Sequence, residues 1–173
     1  MNYNGQNLPN DIEKISLQLN PNYSISFIEE KKPLGTAGSL NLLTKKIRTP
    51  FFLTNCDTII NADYHDILKF HNQNKFDITL IASAKEYVIP YGTCKMDSNG
   101  HLLKIEEKPK YNFLTNTGLY VIDSKIIKLI PKDTFYNITQ LIKDAKIEKN
   151  KIGIYPIDEE SWIDIGQWVE YQK

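Results

Sequence analysis

The stretch Leu53-Thr-Asn-Cys-Asp-Thr-Ile-Ile60 decides how this chain is interpreted, because it is an apolar run interrupted by a single carboxylate. A short apolar run is typical of a buried parallel strand, and the segment from Arg48 to Asp57 fits that pattern. Open α/β sheets bind their ligands at the carboxyl ends of their strands, where Asp57 is expected to lie. Asp57 is therefore the first candidate for chemistry, and the alternative is that it caps a turn or the next helix.

A second isolated carboxylate, Asp164, lies far downstream in Trp162-Ile-Asp-Ile-Gly-Gln-Trp168. Its neighbours are bulky apolar residues and a glycine, an unusual setting for a carboxylate unless it is hydrogen-bonded or bound to a metal. Two acids that folding brings together can hold one Mg²⁺. Asp57 and Asp164 are thus predicted to form a magnesium site.

The composition is that of one globular domain, which we take as residues 1–173. The 173 residues are 41% hydrophobic and 24% charged, enough for a real core. The 21 basic and 21 acidic side chains balance, so there is no general electrostatic reason to bind nucleic acid or an anionic membrane. Cys56 and Cys94 form no CxxC pair, and neither a signal-peptide pattern nor an apolar run of ~20 residues occurs, so a cytoplasmic protein is expected.

Apolar periodicity and turn residues predict alternating helices and strands. The predicted helices span 11–19, 35–43, 64–72, 124–130 and 138–148, and the predicted strands span 23–28, 51–55, 76–83, 118–122 and 152–157, with a hairpin over 94–105. This alternation through one domain indicates an α/β fold with a mixed, mostly parallel sheet.

The segment Gly35-Thr-Ala-Gly38 follows a predicted strand and opens a predicted helix. Two glycines permit close backbone approach, and free amides at a helix start suit a nucleotide phosphate or base. The spacing matches neither a Walker loop nor GxGxxG, so a tight strand-to-helix turn with no ligand is an equally good explanation.

Charged residues end another predicted strand in Ile105-Glu-Glu-Lys-Pro109. Lys108 can bind a phosphate as a point charge, and Glu107 can accept hydrogen bonds from hydroxyl groups, a combination that suits a sugar phosphate. The ordinary alternative is a solvated strand terminus. Two glycine turns, Pro90-Tyr-Gly-Thr93 and Asn116-Thr-Gly118, offer polar groups to a substrate or simply shape a turn and a bulge.

The remaining chemistry-bearing residues match no other site pattern. His65, His71 and His101 lack zinc-ligand spacing, and no G-x-S-x-G or papain-like cysteine motif occurs. The ten tyrosines are scattered without interleaved basic residues, which favours packing over nucleic-acid stacking.

Six motifs, taken in order, closely resemble the sugar-phosphate nucleotidyltransferase family over almost the whole chain. They are Pro33-Leu-Gly-Thr-Ala-Gly38, Asn55-Cys-Asp57, Pro90-Tyr-Gly92, Glu106-Glu-Lys-Pro109, Asn116-Thr-Gly-Leu-Tyr120 and Trp162-Ile-Asp-Ile-Gly166. Their wording is most similar to guanylyltransferase-type members that act on mannose- or hexosamine-1-phosphate.

The resemblance implies a Rossmann-like nucleotidyltransferase fold and a role for each motif. Asp57 and Asp164 would hold the catalytic Mg²⁺, with Lys108 as a further catalytic residue. The nucleotide would contact Gly35, Thr36, Ala37 and Asp57, and the sugar phosphate would contact Tyr91, Gly92, Glu107, Lys108, Asn116 and Thr117. The implied reaction is in-line attack by a sugar-1-phosphate oxygen on the α-phosphorus of a nucleoside triphosphate, GTP by analogy, releasing pyrophosphate and a nucleotide sugar for surface glycans.

One departure from the family concerns its first strand, its glycine-rich G-x-G-T-R loop and a Pro-Lys pair, which cradle the triphosphate and have no match here. We therefore expect a partial domain that lacks the first strand-loop-helix unit. The alternatives are a non-catalytic sugar-phosphate-binding or regulatory relative, and a glycosyltransferase. The glycosyltransferase would be expected to carry D-x-D, where this chain has Asn55-Cys-Asp57.

A sheet that lacks a central strand exposes apolar surface and an unpaired edge, so we predict self-association, including a possible homo-oligomer. Gel filtration with light scattering across a range of concentrations would show a mass above that of one chain. A monomer at every concentration would contradict this prediction.

Overall fold

The computed structural model describes residues 23–43 and 47–166. In chain order its helices and strands are α1 (Gly35–Gly38), β1 (Phe51–Thr54), β2 (Thr58–Ile60), α2 (Tyr64–Asn74), β3 (Ile78–Val88), β4 (Thr93–Met96), β5 (Leu102–Glu106), β6 (Lys110–Ile122), α3 (Ile138–Ile147), β7 (Ile152–Ile157) and β8 (Trp162–Asp164). Short 3₁₀ segments lie at Ser39–Leu43, Ser124–Leu129 and Glu159–Ser161.

The main sheet has four strands in the order β1-β6-β3-β7. Strand β6 is antiparallel to β1 and β3, while β7 is parallel to β3, so three of the strands run in one direction and β6 runs against them. This confirms the predicted mixed sheet, in which one pairing is parallel and two are antiparallel. Two smaller two-stranded sheets pair β2 with β8 and β4 with β5.

Apolar side chains cover both faces of the main sheet. On one face Ile78, Tyr120 and Ile122 pack with buried residues of α1, α3 and the 3₁₀ segments. On the other face Ile81, Leu119 and Val121 pack with Ile67 of α2 and Ile60 of β2. Burial on both faces explains why these strands are continuous apolar runs in the sequence.

Helix α2 illustrates how local sequence fixes an element. The Asp63 carboxylate accepts hydrogen bonds from the backbone of His65 at 2.8 Å and of Asp66 at 3.2 Å, so the helix begins with a side-chain cap. It ends where Lys75 adopts a left-handed conformation with φ +54°. Ile67 and His71 form the buried face of this helix.

Several predicted elements differ from the structure. The strand predicted over 23–28 is wrong: the segment forms no strand, and Ile25 and Phe27 are 42% and 47% exposed. Alternation alone does not make a strand when no neighbour pairs with it. The helix predicted over 11–19 lies outside the described residues. Strand β6 begins eight residues earlier than predicted, at Lys110, and β2 and β8 were not predicted, because three residues show no period.

Strand β1 lies at one end of the main sheet. Within residues 23–43 and 47–166, only β6 pairs with it. The second edge of β1 has no partner strand among the described residues, and both the missing strand and the oligomeric state stay predictions. In the same part of the chain, no helix has the length and apolar character needed to cross a membrane.

A buried histidine lies between α2 and the sheet. His71 is 1% exposed, its Nδ1 lies 2.8 Å from the Thr79 hydroxyl, and its Nε2 has no hydrogen-bond partner among the described residues. Burial lowers the pKa of His71, against the opposing effect of Asp123 and Asp77 and with a contribution from Lys125. The folded protein therefore favours the neutral ring.

We predict that acid destabilises the fold through His71. The folded-state pKa of His71 lies below the ordinary value of 6.5. Its contribution to the free energy of unfolding is therefore complete above pH 6.5 and is lost as the pH falls through the folded-state pKa. One titrating proton changes the free energy of unfolding by at most about 1.4 kcal/mol per pH unit. Denaturant unfolding between pH 5 and 8 would show a shallower decline for His71→Asn, which keeps a polar group near the Nδ1 position. The exposed His101→Asn serves as the control, and equal profiles for all three proteins would refute the assignment.

Candidate active site

The pairing of β2 with β8 brings the two candidate acids together. Thr58 lies opposite Asp164 in this antiparallel pair, and the backbone N–H of Ile165 donates to the carbonyl of Asp57 at 2.9 Å. Asp57 directly precedes β2, and Asp164 is the last residue of β8. The two acids therefore lie near each other at one end of this strand pair, and their joint role as a magnesium site stays a prediction.

Gly166 lies between the two carboxylates. A Cβ built on this glycine would lie 2.9 Å from Asp57 Oδ2 and 3.2 Å from Asp164 Oδ1, so both oxygens approach the same point. The backbone N–H of Gly166 donates to Asp164 Oδ1 at 3.0 Å. Any side chain at this position would compete with the space that the carboxylates share.

A cavity of about 150 Å³ opens beside the two acids, and we call it the acidic cavity. Polar side chains dominate its lining, which comprises Asn55, Asp57, Thr58, Asn116, Thr117, Gly118, Trp162 and Asp164. Two of the predicted sugar-phosphate residues, Asn116 and Thr117, thus lie with the two acids.

Two carboxylates and open space beside them suit a divalent cation. Mg²⁺ is commonly bound by one or two carboxylates and completes its shell with water and substrate phosphates. No cluster of three or more His, Cys, Asp or Glu side chains occurs in residues 23–43 and 47–166, so a site with a full set of protein ligands is not present there. The donor set fits a cation that is shared with a phosphate-bearing substrate.

Hydrogen bonds connect the acidic cavity to the sheet. The Trp162 indole N–H donates to the Thr58 hydroxyl at 2.8 Å, and that hydroxyl donates to the Thr117 carbonyl at 3.1 Å. The Thr117 hydroxyl in turn donates to the Ile81 carbonyl at 2.8 Å, inside the core. The cavity wall is therefore continuous with strands β3 and β6.

A glycine shapes the opposite wall. Gly118 has φ +81°, and a Cβ there would lie 2.6 Å from Asn55 Nδ2, so only glycine fits this approach of β6 to the end of β1. The Asn116 amide donates to the buried Tyr120 hydroxyl at 2.6 Å. Burial raises the pKa of Tyr120, against the opposing effect of this hydrogen bond.

The other predicted sugar-phosphate residues form a separate group. A Cβ on Gly92 would lie 3.0 Å from Glu107 Oε2, and the backbone N–H of Ile89 donates to Pro109 at 3.1 Å, which draws the two turns together. Lys108 has φ +46° in the same turn, and Tyr91 is 74% exposed.

These turn residues do not line the acidic cavity. Asn116 lies six positions after Lys110 along β6, about 20 Å of extended chain. Their part in sugar-phosphate binding stays a prediction.

The predicted nucleotide residues lie at the start of α1. Gly35 has φ +76°, as a tight turn requires. The expectation of free amides is wrong at this turn, because Ala37 N–H donates to the Tyr136 carbonyl at 3.0 Å and Thr36 N–H donates to Asn137 Oδ1 at 3.5 Å. Neither Gly35, Thr36 nor Ala37 lines the acidic cavity, and their contact with a nucleotide stays a prediction.

Residue-by-residue reasoning did not assign Asn55, Thr58 or Trp162 to the site. Asn55 and Trp162 stand within the quoted motifs, and Thr58 follows Asp57 directly, so proximity to a candidate acid was the available signal. Their contacts depend on pairing between β2 and β8, which no local pattern revealed.

The chain matches a known protein family and is similar to several curated proteins. The nucleotidyl transferase family model matches residues 4–173. The chain belongs to the nucleotidyl transferase family. It is similar to mannose-1-phosphate guanyltransferase 2 of Candida glabrata, with 30% identity over 96% of the chain and 47% of the relative. It is also similar to the mannose-1-phosphate guanylyltransferase catalytic subunit beta of Dictyostelium discoideum, with 31% identity over 96% of the chain and 47% of the relative.

This nucleotidyl transferase chain spans about half the length of these curated relatives, 47% of each. Among solved structures, HddC from Yersinia pseudotuberculosis is similar with a TM-score of 0.68 and 24% identity, covering 95% of the chain and 72% of HddC. HddC complexed with GMP-PN gives a TM-score of 0.66 over 94% and 71% of the two chains. These likenesses confirm the nucleotidyltransferase fold.

We predict that Gly166→Ala weakens divalent-cation binding while leaving the fold intact. The added methyl group would push apart two carboxylate oxygens that approach within 2.9 and 3.2 Å of its position. Mn²⁺ titration followed by electron paramagnetic resonance would show a dissociation constant raised about tenfold, the lower end of the usual cost of disturbing a metal site. Gly100→Ala, in an exposed hairpin turn with nothing within 4 Å of the added Cβ, is the control for a glycine substitution away from the acids, and its φ of +86° makes it the more strained of the two backbones. Unchanged Mn²⁺ affinity in Gly166→Ala would mean that the oxygens do not share a cation.

Proposed function

We propose that this chain carries the site of a sugar-1-phosphate nucleotidyltransferase. The observation that carries the proposal is the convergence of Asp57 and Asp164 at Gly166, beside the polar wall of Asn116 and Thr117. Membership in the nucleotidyl transferase family supports the same reaction class. The substrates would be a nucleoside triphosphate and a sugar-1-phosphate, and the product a nucleotide sugar with release of pyrophosphate.

Each group in the site has a physical role in this proposal. A Mg²⁺ held by Asp57 and Asp164 would neutralise charge on the reacting phosphates. Asn116 and Thr117 would hold the sugar phosphate in line with the α-phosphorus, and positioning of this kind supplies much of the catalysis in reactions without a covalent intermediate. Lys108, with Glu107, Gly92 and Tyr91, would bind the sugar phosphate from the adjoining turns.

The base and the sugar are proposed from the relatives. The two curated proteins described above are named as a mannose-1-phosphate guanyltransferase and a mannose-1-phosphate guanylyltransferase subunit, and one solved neighbour is a complex with GMP-PN. We therefore propose guanine as the base and a hexose- or hexosamine-1-phosphate as the acceptor. Gly35, Thr36 and Ala37 would contact the base, and a reaction on free nucleotides and sugar phosphates suits the cytoplasm.

The test is a product assay with the whole chain. We expect incubation with Mg²⁺, each nucleoside triphosphate and a panel of hexose- and hexosamine-1-phosphates to give pyrophosphate and a nucleotide sugar identified by mass. Asp57→Asn and Asp164→Asn should each lower turnover at least about 100-fold, since loss of a metal ligand removes charge stabilisation. Asp97→Asn, in the exposed β4–β5 turn, is the matched carboxylate control and should retain full activity.

The pattern of loss separates the alternatives. Folded protein that binds a sugar phosphate but forms no product would favour a non-catalytic binding relative. Equal activity in Asp57→Asn and the control would exclude the proposed metal site.

For Lys108→Met, a raised KM for the sugar phosphate with little change in kcat is expected, because the ammonium binds substrate and product charge alike.

A further inference from the structure

The Trp162 indole is held on its face by a largely buried lysine. The Lys85 side chain, on β3, is 12% exposed, and its ammonium lies 5.0 Å from the centroid of the Trp162 ring and 3.7 Å from Glu159 Oε1. A lysine is seldom withdrawn from water to this degree without an aromatic or anionic partner, and here it has both. The ammonium is therefore fixed over the indole.

The edge of the same indole is fixed by Thr58. The Trp162 Nε1–H donates to the Thr58 hydroxyl at 2.8 Å, and the Thr58 hydroxyl in turn donates to the Thr117 carbonyl at 3.1 Å. With one partner on the ring face and another on the ring edge, the indole has neither freedom to tilt nor freedom to slide. We call Lys85, Trp162 and Thr58 the indole clamp.

The indole clamp spans both strands that carry the acids. Trp162 pairs with Ile60, and Thr58 pairs with Asp164, so the clamp joins diagonal corners of a three-residue ladder. A ladder this short has few backbone hydrogen bonds to define its register, and a slip of one residue would turn every side chain to the other face. One backbone hydrogen bond flanks the ladder on each side, from Asn61 to the Ser161 carbonyl and from Ile165 to the Asp57 carbonyl, and side-chain contacts across the ladder add to the definition of its register.

We propose that Lys85 and Thr58 are positioning residues that set the register of β8 against β2 and so hold the Asp57 and Asp164 carboxylates at one divalent cation. Neither residue needs to touch the substrate in this role. The inference rests on the proposed function only in that the two acids bind a cation. It can therefore be tested by metal binding, independently of nucleotidyl transfer.

The experiment measures Mn²⁺ binding by electron paramagnetic resonance in Thr58→Val and Lys85→Met. Thr79→Val is the matched threonine control, since it also removes a buried hydrogen-bonded hydroxyl from the protein but does not line the acidic cavity. Lys110→Met is the lysine control, since it removes the exposed ion pair with Glu86 at 3.0 Å. Circular dichroism establishes that each protein is folded.

The expected result is a dissociation constant for Mn²⁺ raised about tenfold in Thr58→Val and in Lys85→Met, at the lower end of the cost seen for residues that orient metal ligands. Thr58→Ser and Lys85→Arg should restore most of the affinity, because each keeps the contact to the indole. The two controls should bind as the unaltered chain does. In a Trp168→Phe background, the emission of Trp162 should shift on Mn²⁺ binding, and this shift should shrink in both clamp variants.

Mn²⁺ binding by Thr58→Val and by Lys85→Met is interpreted separately, so if one variant fails to fold, the other still tests the proposal. Affinities within twofold of the unaltered chain in a folded clamp variant would overturn the proposal. So would an equal loss in Thr79→Val, which would mark a general effect of destabilisation. Failure of the unaltered chain to bind Mn²⁺ would overturn it as well, whereas Mn²⁺ binding without nucleotide-sugar formation would leave the clamp intact and defeat only the proposed function.

Discussion

The pairing of three residues, Thr58–Ile60, with three others, Trp162–Asp164, is the constraint on which the site depends. It brings together two acids that are remote in sequence, and it does so at a cost, because like charges that converge repel each other. The cost is bearable only where a cation joins them or where the surrounding contacts enforce the approach. Gly166 permits the approach, because it has no Cβ to occupy the space between the carboxylates.

The reversed strand β6 provides the second requirement, a polar wall opposite the acids. Because β6 runs against its neighbours, its middle passes the end of β1 and carries Asn116 and Thr117 to the acidic cavity. The same strand continues into the core through Leu119 and Val121, which are fully buried. The site is thus built on a strand whose position is fixed by packing, and such support favours a constant geometry.

The sequence predicted the features that depend on local pattern and missed those that depend on distant partners. Asp57 and Asp164 were found because a lone carboxylate among apolar residues is conspicuous, and the helix Tyr64–Asn74 was found from its apolar spacing. The strand over 23–28 was wrongly predicted, although its residues alternate, because a strand forms only where another pairs with it. The amides at Thr36 and Ala37 looked free in sequence, but they bond to Tyr136 and Asn137, about 100 residues away.

A third acid shows why the first two are best explained by function. Burial alone would raise the pKa of Asp77, yet hydrogen bonds from the Lys125 ammonium and the Lys151 backbone lower it. Asp77 is a structural carboxylate, since the Lys125 ammonium forms an ion pair with it and the Lys151 backbone N–H donates a hydrogen bond to it inside the fold. Asp57 and Asp164 instead converge at Gly166, where any side chain would enter the space that the two carboxylates share. An arrangement that departs from the most stable choice at one polar cavity is what a binding site requires of its scaffold.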